Sequence, residues 1–178
     1  RPMRSDQTKC VPNEGVSIQL DGKMELRIRM VDCVGYLVEG AMGHTENDEP
    51  RMVRTPWFDY DIPFEQAAEI GTQRVIQDHS AIGVVVTTDG TISDIPRENY
   101  VKSEERVVRE LQELGKPFVI VLNSQDPSSD YAKDLAATLQ SKYKTAVLLA
   151  DVMHFSKDDV SQLFKDLIYE FPIKQVNM

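Results

Sequence analysis

Residues 81–90 read Ala-Ile-Gly-Val-Val-Val-Thr-Thr-Asp-Gly, and this stretch decides the fold class. The apolar run over residues 81–87 is typical of a β-strand buried on both faces, as the strands of parallel sheets are. The run gives way to Asp89 and Gly90, a pair that favours a turn. The stretch therefore predicts a buried strand that opens into a polar loop.

The segments on both sides of this strand alternate between helical and strand patterns. Before it, apolar residues recur at helical spacing from Phe64 to Val75, with Pro63 placed to begin the helix. After it, the patterns predict a helix, a buried strand, a helix, a strand and a last helix, at residues 107–114, 117–122, 132–139, 145–150 and 160–168. Ser129 and Ser156 are suited to cap the last two helices. This order predicts an α/β fold with a mostly parallel sheet and helices on both of its faces.

An antiparallel hairpin is predicted ahead of the parallel sheet. Residues 16–20 and 24–31 alternate between apolar and polar side chains around an Asp-Gly pair at residues 21–22, which is a strong hairpin signal. We expect this hairpin at one edge of the sheet, with its second strand ending directly before Asp32. Cys33 would then lie at the end of a buried strand.

Length, composition and charge indicate one soluble globular domain. The chain has 178 residues, 41% of them apolar and 28% charged, which is ordinary for a domain that buries a core. Its 29 acidic and 20 basic residues give a formal net charge of −9, and the basic residues are scattered, so we expect no nucleic-acid partner. No apolar run approaches the roughly 20 residues that a membrane-spanning helix needs, so we expect no direct membrane insertion. The two cysteines form no disulfide framework, which favours a reducing, cytoplasmic compartment.

Two polar residues close the predicted hairpin with an Asp-x-x-Gly pattern, Asp32 and Gly35. In a nucleotide-binding α/β protein, a carboxylate at this position would hold a water molecule bound to Mg²⁺. The glycine amide would meet a terminal phosphate. The pattern alone is weak, but together with the strand before it, it favours a functional role for both residues.

Polar residues also follow the buried strands, at the edge where open α/β sheets bind ligands. Thr88 would supply a hydroxyl group and Asp89 a second acid. Asn123, Ser124 and Asp126 could face a nucleotide base. Because Asp-Gly and Asp-Pro are also common in turns, a purely structural role remains open for both aspartates.

A phosphate-binding loop is missing from the sequence. Such a loop needs Gly-x-x-x-x-Gly-Lys-Ser/Thr between a strand and a helix, and no segment of the chain has this pattern. We expect either that nucleotide binding has been lost or that the chain is a fragment whose phosphate loop precedes Arg1.

Two other conspicuous features have structural explanations. The acidic pair at residues 104–105 is predicted to begin a helix, where acidic side chains favour the helix dipole. Trp57, the only tryptophan, is predicted to anchor the long segment that follows Gly35.

A set of motifs is more specific than any one of them. The set comprises Val-Asp-Cys-Val-Gly-Tyr at residues 31–36, Pro-Arg-Met at 50–52, Thr-Pro-Trp at 55–57, Ile-Pro-Phe at 62–64, Ala-Ala-Glu-Ile-Gly-Thr at 67–72, Thr-Thr-Asp-Gly-Thr at 87–91, Glu-Glu-Arg-Val at 104–107, Gly-Lys-Pro-Phe at 115–118 and Glu-Phe-Pro at 170–172. In this combination the chain resembles the stage IV sporulation protein A family, the coat morphogenetic ATPases of endospore-forming bacteria. The resemblance runs from about Val11 to the C-terminus.

The resemblance implies a fold and a domain organisation. The fold would be a P-loop GTPase-like three-layer sandwich that lacks its first strand and its phosphate-loop helix. Residues 1–178 would be a partial nucleotide-hydrolase (ATPase) domain, and residues 36–63 a long switch-like loop within it.

The resemblance also implies a function. The family binds ATP with Mg²⁺, hydrolyses it and uses the energy to polymerise as the basement layer of the spore coat. We therefore expect self-assembly into polymers in the mother-cell cytoplasm, at the outer forespore membrane surface. Other spore coat proteins and a small membrane-anchoring peptide would bind through regions outside this chain.

Carried over position by position, the resemblance gives roles to the polar residues. Asp32 matches the Walker B acid that holds Mg²⁺ through water, and Gly35 matches the switch glycine. Asn123 and Ser124 match the base-binding site, where the loss of the usual lysine suits adenine. Asp126 nevertheless keeps the spacing of a guanine-reading acid. Two alternatives therefore stay open: a non-catalytic scaffold module that has lost nucleotide hydrolysis, and a regulatory GTPase.

Overall fold

The computed structural model describes residues 14–20, 24–46 and 49–170, which form an α/β fold with four α-helices and a three-stranded parallel sheet. The strands are β1 (Val16–Leu20), β2 (Met24–Ile28), β3 (Thr45–Glu46), β4 (Glu49–Pro50), β5 (Met52–Val53), β6 (Ile62–Pro63), β7 (Gly83–Thr88), β8 (Phe118–Asn123) and β9 (Val147–Ala150). The helices are α1 (Phe64–Arg74), α2 (Arg97–Glu113), α3 (Asp130–Tyr143) and α4 (Lys157–Tyr169). The chain divides into a first unit, Arg1–Leu37 with Ala41–Ser80, and a second unit, Val38–Gly40 with Ala81–Met178.

The second unit carries the parallel sheet that the sequence predicts. Its strands lie in the order β7, β8, β9, with Gly83 opposite Phe118 and Ile120 opposite Val147. Parallel neighbours need a crossover connection, and α2 and α3 supply the two crossovers. The predicted alternation of helices and strands from Phe64 onward is confirmed.

Helices pack on both faces of this sheet. On one face, Leu163 and Leu167 of α4 pack in a buried cluster with residues of β8. On the other face, Leu111 of α2 lies so close to β7 that a Cβ atom at Gly83 would be 2.9 Å from its Cδ1 atom. Glycine at this position lets α2 approach the sheet closely.

The prediction that β7 is buried on both faces is wrong. Val84 and Val86 are 41% and 64% exposed. In the register of the sheet they lie beside Val119 and Val121 of β8, which are buried in the cluster with α4. Within the part of the chain that the structure describes, α4 therefore covers β8 and leaves β7 open on the same face.

Side-chain caps begin two helices where the sequence predicts them. At the start of α3, Ser129 Oγ accepts a hydrogen bond from the Ala132 N–H at 3.2 Å. At the start of α4, Ser156 and Asp159 form a reciprocal capping box, with the Asp159 N–H donating to Ser156 Oγ at 3.1 Å. Each such cap stabilises its helix by about 1 kcal/mol.

The start of α2 differs from the prediction. The helix begins at Arg97, directly after Pro96, so the acidic pair at residues 104–105 lies in its middle and does not begin it. A proline at the boundary fixes the backbone for helix entry, which is a stronger signal than an acidic pair. Gly115 ends the helical segment with a φ of +61°, as predicted.

Glu104 instead lies at the centre of a buried polar cluster, which we call the Glu104 cluster: Thr87, Arg97, Glu104 and Tyr143. The Thr87 hydroxyl donates to Glu104 Oε2 at 2.7 Å, and the Tyr143 hydroxyl donates to Oε1 at 2.9 Å. Arg97 Nη2 lies 2.7 Å from Oε2, and the Glu104 and Arg97 side chains are only 2% and 12% exposed. Burial raises the pKa of Tyr143 to about 12, and the Glu104 carboxylate adds to this rise.

In the first unit, β1 and β2 form the predicted antiparallel hairpin, with Val16 opposite Ile28. Its turn at residues 21–22 lies outside the described residues. Contrary to the prediction, the described strands β1 and β2 form a sheet of their own and do not extend the parallel sheet. β2 also ends at Ile28 rather than directly before Asp32, and this last residue lies opposite Val16, the first residue of β1. Cys33 is consequently exposed and not buried at a strand end.

Residues 36–63, predicted as a long loop without a regular period, contain two short antiparallel strand pairs, β3 with β4 and β5 with β6. Trp57 packs on α1, where its Cη2 atom lies 3.3 Å from the position that a Cβ atom would take at Gly71. The Arg74 guanidinium group stacks over the same ring at 5.1 Å. The prediction that Trp57 anchors this segment is confirmed, and its role as a switch stays a prediction.

Candidate functional site

Polar loops follow β7, β8 and β9 at one end of the parallel sheet, and we call them together the strand-end rim: residues 88–91, 123–128 and 151–154. The carboxyl ends of parallel strands share an edge, which is where open α/β sheets bind ligands. Hydrogen bonds connect the three loops. The Gln125 N–H donates to Thr91 Oγ1 at 2.9 Å, and the Val152 N–H donates to Asn123 Oδ1 at 3.0 Å.

Asp89 holds the first loop of the rim in shape. It is buried, and its Oδ1 atom accepts hydrogen bonds from the Thr91 N–H at 3.0 Å and from the Thr91 hydroxyl at 2.6 Å. Burial raises the pKa of Asp89, but hydrogen bonding to Ser124 and Thr91 outweighs it and leaves the pKa below its ordinary value. Thr88 is also buried, and its Oγ1 atom accepts from the Gly90 N–H at 3.1 Å. Both side chains are therefore engaged in hydrogen bonds within the protein.

Asn123 and Ser124 end β8 and face different environments. Asn123 is partly buried, and the bond from Val152 to its Oδ1 atom fixes the direction of the amide. Its Nδ2 group donates to no group among the described residues and remains available as a donor. Ser124 is fully buried, and its Oγ atom accepts from the Asp126 N–H at 3.1 Å. Asn123 can therefore meet a ligand directly, whereas Ser124 supports the loop from inside.

Asp126 lies on the exposed side of the second loop. Its Oδ1 atom accepts hydrogen bonds from the Ser128 N–H at 3.1 Å and from the Ser128 hydroxyl at 2.5 Å. The Ser128 hydroxyl, followed by its backbone N–H, lowers the pKa of Asp126. One carboxylate oxygen is thus committed to the turn, and the other remains open to solvent or to a ligand.

Thr91 and Ser128 are structural residues of the rim that sequence reasoning missed. Each donates both its N–H and its hydroxyl group to an aspartate two residues earlier. The signal was present, because Asp-Gly-Thr and Asp-Pro-Ser share the Asp-x-Ser/Thr spacing that allows such turns.

Asp151 and His154 shape the third loop. His154 Nδ1 lies 2.6 Å from Asp151 Oδ2, and the Met153 N–H donates to Oδ1 at 3.0 Å. The hydrogen bond from His154 lowers the pKa of Asp151. All three loops of the rim are therefore built on an aspartate that accepts bonds from residues two or three positions later.

Asp32 and Gly35 lie in the first unit, on the irregular stretch between β2 and β3. Asp32 is exposed, and its carboxylate makes no hydrogen bond or ion pair with the residues that the structure describes. Gly35 has a φ of +81°, and its N–H donates to the Thr72 hydroxyl of α1 at 3.0 Å. The carboxylate is thus free for a ligand, while the glycine amide is already engaged.

The residues predicted from the sequence form two groups. The strand-end rim of the second unit brings together Thr88, Asp89, Asn123, Ser124 and Asp126. The first unit carries Asp32 and Gly35. The roles predicted for these residues in nucleotide chemistry remain predictions.

The described residues contain no group of three His, Cys, Asp or Glu side chains that could hold a metal ion. One free carboxylate, such as that of Asp32, nevertheless suits Mg²⁺, which keeps several water ligands and takes others from phosphate oxygens. No helix in the described ranges is both long and apolar enough to cross a membrane.

The comparisons with known proteins agree on one family. The family model described as stage IV sporulation protein A, ATPase domain, matches residues 1–172. The chain is 46% identical over 178 residues to stage IV sporulation protein A of Bacillus anthracis and 45% identical over 178 residues to that of Bacillus subtilis strain 168. Each of these matches covers 100% of this chain and 36% of the relative.

Stage IV sporulation protein A of Clostridioides difficile strain 630 is 45% identical over 172 residues, which cover 97% of this chain and 35% of the relative. The chain thus spans about a third of the length of the curated relatives it matches. No solved structure matches the chain.

Proposed function

The chain belongs to the ATPase-domain family of stage IV sporulation protein A, and on that premise we propose that it is the nucleotide-handling part of a sporulation protein that binds and hydrolyses ATP. The observation that carries the proposal is the family match over residues 1–172, together with identities of 45% and 46% to the relatives. The resemblance predicted from the sequence motifs is thereby confirmed.

On the base side of the nucleotide, the proposed contact residue is Asn123. Its Oδ1 atom is fixed by Val152, and its Nδ2 group is free among the described residues. This free Nδ2 group can donate to the N7 atom of a purine, which is an acceptor in adenine and in guanine alike. A guanine-reading acid would need both carboxylate oxygens, and one oxygen of Asp126 is taken by Ser128. The engagement of Asp126 in its own turn, and not the contact of Asn123, therefore favours adenine over guanine.

On the phosphate side, the proposed residues are Asp32 and Gly35. Mg²⁺, when bound with ATP, neutralises charge that builds up on the phosphates. The exposed Asp32 carboxylate would hold a water molecule of that ion, and the Gly35 amide would donate to the terminal phosphate. Residues 36–63 would respond to the phosphate as a switch.

The phosphate loop itself is proposed to lie in a part of the protein outside these 178 residues, because the chain has no Gly-x-x-x-x-Gly-Lys-Ser/Thr pattern. In a P-loop GTPase-like sandwich, that part would add a strand and a helix beside β7. The exposed side chains of Val84 and Val86 support this arrangement, since they offer apolar surface that a further element could cover.

For the whole protein, we extend the proposal to assembly. ATP hydrolysis would drive polymerisation as a scaffold of the spore coat, at the outer forespore membrane surface in the mother cell. Other coat proteins and a membrane-anchoring peptide would bind outside this chain. The name that the relatives share, stage IV sporulation protein A, supports the role in sporulation, and the assembly itself is carried over from the resemblance.

The test is Asp32→Ala in the full-length protein, with Asp94→Ala as a matched control. Asp94 is exposed and lies outside every proposed contact. We expect Asp32→Ala to lower the rate of ATP hydrolysis by about 10²- to 10³-fold, as the loss of one positioned electrostatic group does, and Asp94→Ala to leave the rate unchanged. Equal rates for the two variants would remove Asp32 from the mechanism.

A non-catalytic scaffold is the second candidate, and it would be favoured by a protein whose sequence before Arg1 has no Gly-x-x-x-x-Gly-Lys-Ser/Thr pattern. A full-length protein that assembles normally without hydrolysing ATP would support this alternative. Competition between ATP and GTP for the same full-length protein tests the third reading, a regulatory GTPase. A clear preference for GTP would support it and would contradict the preference for adenine inferred from Asp126.

A further inference from the structure

The amide of Gly35 has a specific partner within its own unit. It donates to Thr72 Oγ1 at 3.0 Å, across 37 positions of sequence. Thr72 is buried in the third turn of α1. The bond is therefore a tertiary contact that links the irregular stretch after β2 to a helix.

The two partners differ in how firmly they are held. Thr72 belongs to an α-helix against which Trp57 packs, at Gly71 and Arg74. Gly35 lies on a stretch without regular secondary structure, and a Cβ atom at this position would meet nothing within 4 Å. Its glycine is required by the φ of +81° and not by crowding. In any rearrangement, Gly35 can therefore move more readily than Thr72.

From this contact we infer that Thr72 is a positioning residue that holds the Gly35 amide when no nucleotide is bound and competes with the terminal phosphate of ATP for it. The inference rests on the proposed function, in which the same amide meets that phosphate. One N–H group makes one strong hydrogen bond, so it donates either to the threonine hydroxyl or to a phosphate oxygen.

The competition has a defined direction. A phosphate oxygen is an ionised acceptor, and hydrogen bonds to ionised acceptors are roughly twice as strong as neutral ones. ATP therefore displaces the hydroxyl, but part of its binding free energy is used to break the bond to Thr72. ADP has no terminal phosphate and leaves that bond intact.

The experiment measures ATP and ADP affinity in the full-length protein and in its Thr72→Val, Thr72→Ser and Thr138→Val variants. Valine has the shape of threonine without the acceptor, whereas serine keeps the hydroxyl. Thr138→Val is the matched control, because Thr138 is an exposed helical threonine whose hydroxyl bonds only to its own helix, at the Asp134 carbonyl.

We expect Thr72→Val to bind ATP about 2- to 10-fold more tightly than the wild type, which corresponds to the net worth of one hydrogen bond. Its ADP affinity should stay unchanged. Thr72→Ser and Thr138→Val should resemble the wild type with both nucleotides. Because Thr72 is buried, circular dichroism checks that each variant is folded, and Thr72→Ala, which also lacks the acceptor, replaces the valine variant if valine disturbs the helix.

A second readout follows the bond without nucleotide. Hydrogen exchange at the Gly35 amide should be faster in Thr72→Val than in the wild type, and it should be unchanged in Thr72→Ser. Slow exchange retained in Thr72→Val would show that the amide does not depend on the hydroxyl.

Failures of the inference and of the proposed function can be told apart. If the wild type binds ATP but Thr72→Val binds it no more tightly, or tightens ATP and ADP equally, only the role of Thr72 is wrong. If the wild type binds neither nucleotide, the proposed function fails, and the competition fails with it.

Discussion

Neutralising Glu104 should lower the free energy of unfolding far more than neutralising its neighbour Glu105. Glu104 has a side chain 2% exposed and pairs with Arg97, which is 12% exposed. Glu105 pairs with Lys142 at 2.5 Å, but the two side chains are 50% and 42% exposed. The substitutions Glu104→Gln and Glu105→Gln therefore make the same chemical change at adjacent positions in opposite environments.

The expected loss in unfolding free energy follows from the partners of each carboxylate. In Glu104→Gln, the buried Arg97 guanidinium loses its counter-charge, and the new amide presents N–H groups where Thr87 and Tyr143 also donate. Removing one partner of a buried pair costs about 3–5 kcal/mol. Water screens the exposed pair of Glu105, so its loss costs about 0–1 kcal/mol.

Urea unfolding followed by circular dichroism measures both free energies, and thermal unfolding measures the melting temperatures. For a chain of this size, we expect the melting temperature of Glu104→Gln to fall by about 6–20 °C and that of Glu105→Gln to change by less than about 4 °C. Adding Arg97→Met to Glu104→Gln should recover part of the loss, because it removes the unpaired charge. If Glu104→Gln costs less than about 1 kcal/mol, or if Arg97→Met worsens it, the Glu104 cluster does not stabilise the fold in the way described.

Two further substitutions test the region of α3. Lys144 ends α3 in the left-handed conformation, with φ 55° and ψ 41°, so Lys144→Gly should raise the free energy of unfolding by about 0.5–1 kcal/mol. Lys144→Ala keeps the Cβ atom and should give no gain in the same urea titration. Because the pKa of Tyr143 is raised from 10.0 to about 12, its contribution to stability is complete below pH 10 and is lost as the pH rises to 12. The unfolding free energy of the wild type should therefore fall more steeply over that range than that of Tyr143→Phe, and equal slopes would contradict the raised pKa.

The regular part of the second unit could be predicted because its signals are local. The apolar runs of β7 and β8, the serine caps of α3 and α4, and the glycine after α2 each depend on residues within a few positions. Parallel strands that alternate with helices end at one edge. For this reason the residues after β7 and β8 could be assigned together to the strand-end rim.

The errors arise where structure depends on distant partners. β2 ends where its pairing with β1 ends, opposite Val16, and not at the polar residues near Asp32. The exposure of Val84 depends on which strand α4 covers. The Glu104 cluster joins residues from two helices and a strand, so its buried ion pair has no local sequence signal.

The contact between Gly35 and Thr72 was beyond sequence reasoning for the same reason. Both residues belong to motifs that the sequence singled out, yet nothing in either motif indicates that they are bonded. The Asp-x-x-Gly pattern singled out Gly35 for its amide, and the positive φ of +81° at this glycine was not predicted from it. Its hydrogen-bond partner, Thr72, could be identified only from the fold.

Relatives of this chain should diverge in a correlated way along the strand-end rim. The Thr91 hydroxyl donates a hydrogen bond to Asp89 and accepts one from the Gln125 N–H, so a change at Thr91 alters two loops at once. Asn123 likewise ties the loop after β8 to the loop after β9. The substitutions that one loop tolerates then depend on the residues in the neighbouring loops. Selection for a different nucleotide base would have to act on the three loops as one inherited unit.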